Sequence, residues 1–140
     1  MAVKLLAFLT RKNGLSPEEF RDLYENRHSR IGMGIFGHLW KEYRRNYLGT
    51  ANTFAKAYDD GNKAHDANMD APFDVITEFI FESWDELEEQ NRLAQLPQNS
   101  ALLAEDEETL FERDKCYTSV CEVLEEDLAA ARAQGKFQNA

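Results

Sequence analysis

Cysteine is scarce in this chain: 140 residues hold only Cys116 and Cys121. Five positions apart in one strand, they point to opposite faces, which excludes an intrachain disulfide between them. Reduced thiols of this kind fit a cytoplasmic protein. Histidine is scarce too. His28, His38 and His65 are scattered, with no paired ligand spacing, so no metal site is expected. Long apolar runs are missing. The stretch from Met1 to Thr10 is too short to span a bilayer and has no small-residue cleavage site, so no membrane association is expected. Positive charge is in deficit, with 16 Lys and Arg against 26 Asp and Glu and a net charge of −10. That balance excludes general nucleic-acid affinity, which needs a cationic surface.

What is present reads as one globular domain, 43% apolar and 30% charged. The charge is uneven. Residues 1–50 carry nine Lys and Arg against five Asp and Glu, whereas residues 51–140 carry seven against twenty-one. Val3 to Thr10 has strand length and is apolar on both alternating faces. Ser16-Pro17-Glu18-Glu19 opens a helix with an N-cap, a proline at its first position and acids in its first turn. Gly32 and Gly34 are expected to end that helix. Leu39 to Leu48 forms a second strand and Phe73 to Glu82 a third. Ser83, with Glu86 three residues on, caps a helix that runs to Pro97. Ser100 to Phe111 forms an acidic helix, and Lys115 to Leu124 the last strand. Residues 1–125 thus make the domain, 50–71 a long loop or lid, and 126–140 a charged, alanine-rich tail.

The order β-α-β-β-α(α)-β predicts an α+β, ferredoxin-like fold. Leu5, Leu9, Trp40, Leu48, Ile76, Ile80, Val120 and Leu124 give both sheet faces apolar character, while helices cover only one. A homodimer joined sheet to sheet follows.

The densest cluster of chemistry is Tyr43-Arg44-Arg45-Asn46-Tyr47. Strand alternation puts Tyr43, Arg45 and Tyr47 on one face and Arg44 and Asn46 on the other. One of the two sets lines the interior, as a wall of phenol and cation suited to an aromatic, acidic or hydroxylated small molecule. His28 follows Tyr24 by four residues and shares its helix face. It is either an acid/base near neutral pH or a charge at a helix C-terminus. Asp106-Glu107-Glu108 is either a solvated acidic face or the carrier of an inward-pointing Asp106 that orients His28 or an Arg.

Several stretches together resemble the EthD-domain family of the dimeric α/β-barrel superfamily. They are Leu6-Ala7-Phe8-Leu9-Thr10-Arg11-Lys12, Gly14-Leu15-Ser16-Pro17-Glu18-Glu19-Phe20, Tyr24-Glu25-Asn26-Arg27-His28, the strand at 43–47, Phe73-Asp74-Val75-Ile76-Thr77-Glu78, and Asp106-Glu107-Glu108 with Phe111. The pattern is similar to fungal members of aromatic polyketide pathways. Where many relatives carry a histidine pair, only His28 stands here, with His38 as a partial substitute. The resemblance implies a cofactor-free lyase, a decarboxylase or dehydratase of a phenolic acid. His28, Tyr43 and Asp106 would be catalytic, and Phe8, Tyr24, His38, Arg44, Arg45, Asn46 and Tyr47 would bind substrate. A polyketide cyclase, a cofactor-independent anthrone oxygenase, and a non-catalytic ligand-binding dimer are the alternatives. The last predicts a pocket filled by its own side chains, with His28 paired and buried.

Overall fold

The computed structural model describes residues 2–51 and 69–137. Its elements in chain order are β1 (Val3–Leu9), α1 (Pro17–Leu23), a π-helical turn (Tyr24–His28), α2 (Ser29–Phe36), a 3-10 turn (Gly37–Leu39) and β2 (Trp40–Tyr47). Then come β3 (Thr50–Ala51), β4 (Met69–Asp70), β5 (Val75–Phe81), α3 (Trp84–Ala94), α4 (Pro97–Leu110), a 3-10 turn (Arg113–Lys115), β6 (Tyr117–Cys121) and α5 (Leu128–Ala133). The main sheet has the order β2-β5-β1-β6. All three of its pairings are antiparallel. Helices on one face of such a sheet, in this chain order, make a ferredoxin-like α+β fold. The lid expected over 50–71 lies largely outside the described residues; its two ends pair with each other, Thr50 with Asp70 and Ala51 with Met69. His65 lies outside them too.

Local chemistry explains where the elements start. The Ser16 hydroxyl accepts from the Glu19 N–H while the Glu19 carboxylate accepts from the Ser16 N–H, and Pro17 supplies the first helical position. Gly14, at φ +97°, makes the preceding turn in a conformation that L side chains rarely adopt. Gly32 and Gly34 do not end the helix, which runs on to Phe36. Neither has the positive φ of a glycine cap. Pro97 does not stop a helix either; it begins α4.

Register assigns the two faces. Val3, Leu5, Ala7 and Leu9 face the helices with Val75, Thr77, Phe79 and Phe81. Tyr43, Arg45 and Tyr47 join them from β2, opposite Phe79, Thr77 and Val75. One core cluster joins Phe20, Tyr24, Val75, Leu110 and Phe111, and a second joins Val3, Phe81 and Leu87. The opposite face carries Leu6, Phe8, Ile76 and Ile80. There Phe8 stacks on Tyr117 with centroids 4.9 Å apart. Of the apolar residues expected across the two faces, Leu5, Leu9, Trp40 and Val120 pair in register with helix-side positions, and Ile76 and Ile80 belong to the other face.

Candidate functional site

The π-helical turn sets the site. The Ser29 N–H reaches back five residues to the Tyr24 carbonyl, and the Ser29 hydroxyl donates to the Glu25 carbonyl at 2.8 Å. Such single-turn widenings recur at functional sites. Here the turn feeds three polar side chains outward: Glu25 to Arg45 on β2, and Arg27 and His28 both to Asp106 on α4.

His28 Nδ1 lies 2.6 Å from Asp106 Oδ2, and Arg27 Nε donates to Asp106 Oδ1 at 2.5 Å. Arg27 also donates to the Thr109 hydroxyl at 2.6 Å. The Asp106 side chain is only 3% exposed. Burial pushes its carboxyl up, but the hydrogen bonds and charges of His28 and Arg27 outweigh burial and hold it below the usual carboxylate range. An ionised Asp106 accepts a hydrogen bond from Nδ1–H, and among the described residues Nε2 has no hydrogen-bond partner. Tyr24 packs edge-on to the imidazole, with centroids 4.9 Å apart, and Phe111 does so from another side at 5.1 Å.

His28 lines a cavity of about 400 Å³ between the helices and the sheet. Leu5, Ala7, Leu9, Phe79 and Phe111 give it apolar walls. Tyr24, Gln90, Glu107, Arg113, Cys116, Tyr117 and Thr118 are its other polar groups. A second cavity of about 210 Å³ shares His28, Phe79, Gln90 and Glu107 with the first and adds Trp40, Tyr43 and Gly32. Cys116 lines the first cavity and Trp40 the second. Trp40 donates its indole N–H to Gln90 Oε1 at 2.7 Å.

The tyrosines on this face differ in what they touch. Tyr24 is 1% exposed and its hydroxyl meets Thr77 Oγ1 at 2.6 Å. Burial, then the neighbouring Tyr43, push its phenol well above the usual value. Burial raises the Tyr43 phenol too. Both stay protonated and able to donate at physiological pH. Tyr43 stacks on Phe79 at 5.3 Å, with the Arg45 guanidinium carbon 4.5 Å from its ring centre.

Arg45 and Tyr47 stand on the interior face, but their polar ends go to Glu25. Arg45 Nη2 donates to Oε1 at 2.5 Å and Nε to Oε2 at 3.0 Å, while the Tyr47 hydroxyl donates to Oε2 at 2.5 Å. Neither residue lines either cavity around His28. An Arg45 substrate clamp is thus corrected: the fork that would hold a substrate carboxylate already holds one of the protein's own.

Phe8, Arg44 and Asn46 lie on the sheet face away from the helices and cannot reach this site. Arg44 pairs with Glu42 at 2.5 Å, not with Glu78 across the strands. Asn46 Nδ2 donates to the Ile76 carbonyl at 2.9 Å and to Glu78 Oε2 at 3.1 Å. Lys4 takes the other Glu78 oxygen at 2.8 Å. His38 lines neither cavity and sits in the 3-10 turn that leads into β2. Among the described residues no group of three His, Cys, Asp or Glu is placed to hold a metal ion, and no helix is long and apolar enough to cross a membrane.

The EthD domain model matches residues 12–114. The chain belongs to the EthD-domain family. An ethyl tert-butyl ether d (EthD) family protein from Bacillus halodurans is similar in structure, with a TM-score of 0.58 at 14% identity over 89% of this chain and 100% of that one. An EthD-like protein from Ralstonia eutropha gives 0.60 at 12% identity, over 90% and 96%. A dimeric ferredoxin-like protein of unknown function from Thermobifida fusca gives 0.53 at 14% identity, over 88% and 92%. At these identities the likeness shows the fold. No curated protein matches the sequence.

Within this EthD domain, sequence reasoning missed Glu107, Gln90 and Arg113 as cavity residues. A signal for Glu107 was available. Leu103, Glu107, Leu110 and Phe111 follow helical spacing, so Glu107 sits beside Asp106 in an otherwise apolar stripe. Burial raises its carboxyl above the usual range.

Proposed function

We propose that this EthD-domain protein is a cofactor-independent lyase, a decarboxylase or dehydratase of an aromatic, phenolic acid of polyketide type. One observation carries the reading. His28 is tied to a buried, ionised Asp106 through one nitrogen, and its ring lines an apolar-walled cavity of about 400 Å³. That volume falls in the range of about 300–1,000 Å³ typical of small-molecule sites. It disfavours a non-catalytic carrier, whose pocket would be filled by its own side chains.

In decarboxylation, the bond from ring carbon to carboxylate breaks and its electron pair stays on the ring. The Nε2–H of the His28 imidazolium delivers a proton to that carbon as carbon dioxide leaves. In dehydration, neutral Nε2 removes the proton from carbon instead, and the imidazolium so formed returns it to the departing hydroxyl, which leaves as water. Asp106 fixes the tautomer and stabilises the imidazolium in both. Tyr43, kept protonated by burial, donates to the oxygen on which enolate charge develops. The same groups serve a cyclase or an anthrone oxygenase, and product analysis separates these.

The lyase acts as a homodimer joined through the sheet face that carries Leu6, Phe8, Ile76 and Ile80. Support comes from the apolar character of that face and from the dimeric Thermobifida fusca relative. The test is mass spectrometry of the purified protein incubated with a panel of polycyclic hydroxy acids. Loss of carbon dioxide or water from a member of the panel, abolished by His28→Asn, is expected. Turnover of none, or turnover that survives His28→Asn, sinks the reading.

A further inference from the structure

The cavity contains an anion position that the protein fills with its own carboxylate. Among the described residues, Arg113 is the sole Lys or Arg lining the His28 cavity. It comes from the 3-10 turn after α4, and its side chain is 50% exposed, so it stands where the cavity meets solvent. Its Nε lies 3.3 Å from Glu107 Oε2 and its Nη1 3.3 Å from Glu108 Oε1. Both are longer than the roughly 2.7–2.9 Å of a tight charged hydrogen bond. Arg45, by contrast, holds its carboxylate partner at 2.5 and 3.0 Å. Glu107 faces the same cavity from α4 and is largely shielded, at 29% exposure.

A loosely held guanidinium beside an apolar chamber is suited to exchange partners. We infer that Arg113 binds the carboxylate of an aromatic acid, and that Glu107 occupies this position until the acid displaces it. The inference rests on the acid–base reading of His28 only in placing the ligand in the same cavity. It gives that reading a direction: the carboxylate lies at the mouth, and the ring lies inward against Leu5, Ala7 and Phe79.

Calorimetric titration with naphthoate and with its neutral isostere naphthamide tests this. Naphthoate is expected to bind about tenfold tighter or more, as charge-assisted hydrogen bonds imply. Arg113→Gln should bring the ratio close to one while leaving naphthamide affinity in place. Glu107→Gln should tighten naphthoate binding by removing the competing carboxylate. Equal affinities in the native protein, no binding of either compound, or an unchanged ratio in Arg113→Gln overturns the inference. The two readings fail separately. His28→Asn should abolish turnover yet keep the naphthoate preference, and a lost preference alongside intact His28-dependent turnover removes only the role of Arg113.

Discussion

Glu25 and His28 leave the same π-helical turn three residues apart and meet opposite fates. Glu25 is closed off. Two Arg45 nitrogens and the Tyr47 hydroxyl engage its oxygens, and its carboxyl is lowered chiefly by the Arg45 hydrogen bond. That site has a high density of charge, and each of its carboxylate oxygens is already engaged by the protein. His28 has one anchored nitrogen, and its ring lines a cavity with apolar walls. The first arrangement fastens the helix to β2. The second can do chemistry, because a polar group acts on a ligand only with a bonding direction that the protein leaves open. The comparison shows why the strand at 43–47, the most chemically dense part of the chain, is mostly structural. Only Tyr43 of its five residues lines a cavity with His28.

The sharpest way to break this comparison is to exchange the fates by mutation. His28→Asn keeps a donor toward Asp106 but removes Nε2, and turnover should fall by about 10²- to 10⁴-fold with little change in the urea midpoint. Tyr43→Phe removes a donor from the developing oxyanion, and kcat should fall by roughly 10²-fold with the fold intact. Glu25→Gln should act on stability and not on turnover. It leaves the charge of Arg45 without its counter-charge, at a cost of about 1–3 kcal/mol. The lower end is expected because the two side chains keep 22% and 31% exposure. A urea series at constant m-value reads that loss.

The smallest effect is in the pH dependence of stability. Asp106 and Glu25 both have folded-state pKa values below their unfolded ones. In that window the unfolded chain binds more protons, so stability rises with pH. Their contribution is fully present above the ordinary carboxylate range and is lost as pH falls through and below it. Glu107 is raised, so its sign is opposite: stability declines as pH climbs above the ordinary carboxylate range. Asp106→Asn and Glu25→Gln should each flatten the acid limb of the stability profile. Glu107→Gln should flatten the decline above it.

How much of this could be read beforehand depends on whether the signal is local. Alternation in Phe73–Glu82 and the Ser-Pro-Glu-Glu start of α1 report backbone state within a few residues, and both elements are where they are expected. The inward Asp106 was legible because it shares a helical stripe with Leu110. The faces of β2 were legible as two sets, but not which set was interior, since that depends on which side the helices cover. The Glu25–Arg45 pairing joins a helix to a strand 20 positions away, and side-chain periodicity carries no trace of it. The π-helical turn was hidden for a related reason: it is a change in backbone hydrogen-bond partner, and nothing in Tyr24-Glu25-Asn26-Arg27-His28 interrupts the helical pattern.

The central claim is that His28 presents a free Nε2 to a ligand cavity while Asp106 holds Nδ1–H. Nitrogen-15 NMR of the His28 ring, assigned by its loss in His28→Asn, tests it directly with and without naphthoate. The account predicts that the neutral ring carries its proton on Nδ1 and that only the Nε2 resonance shifts strongly when naphthoate binds. A proton on Nε2, or an Nε2 resonance indifferent to a bound ligand, would contradict it.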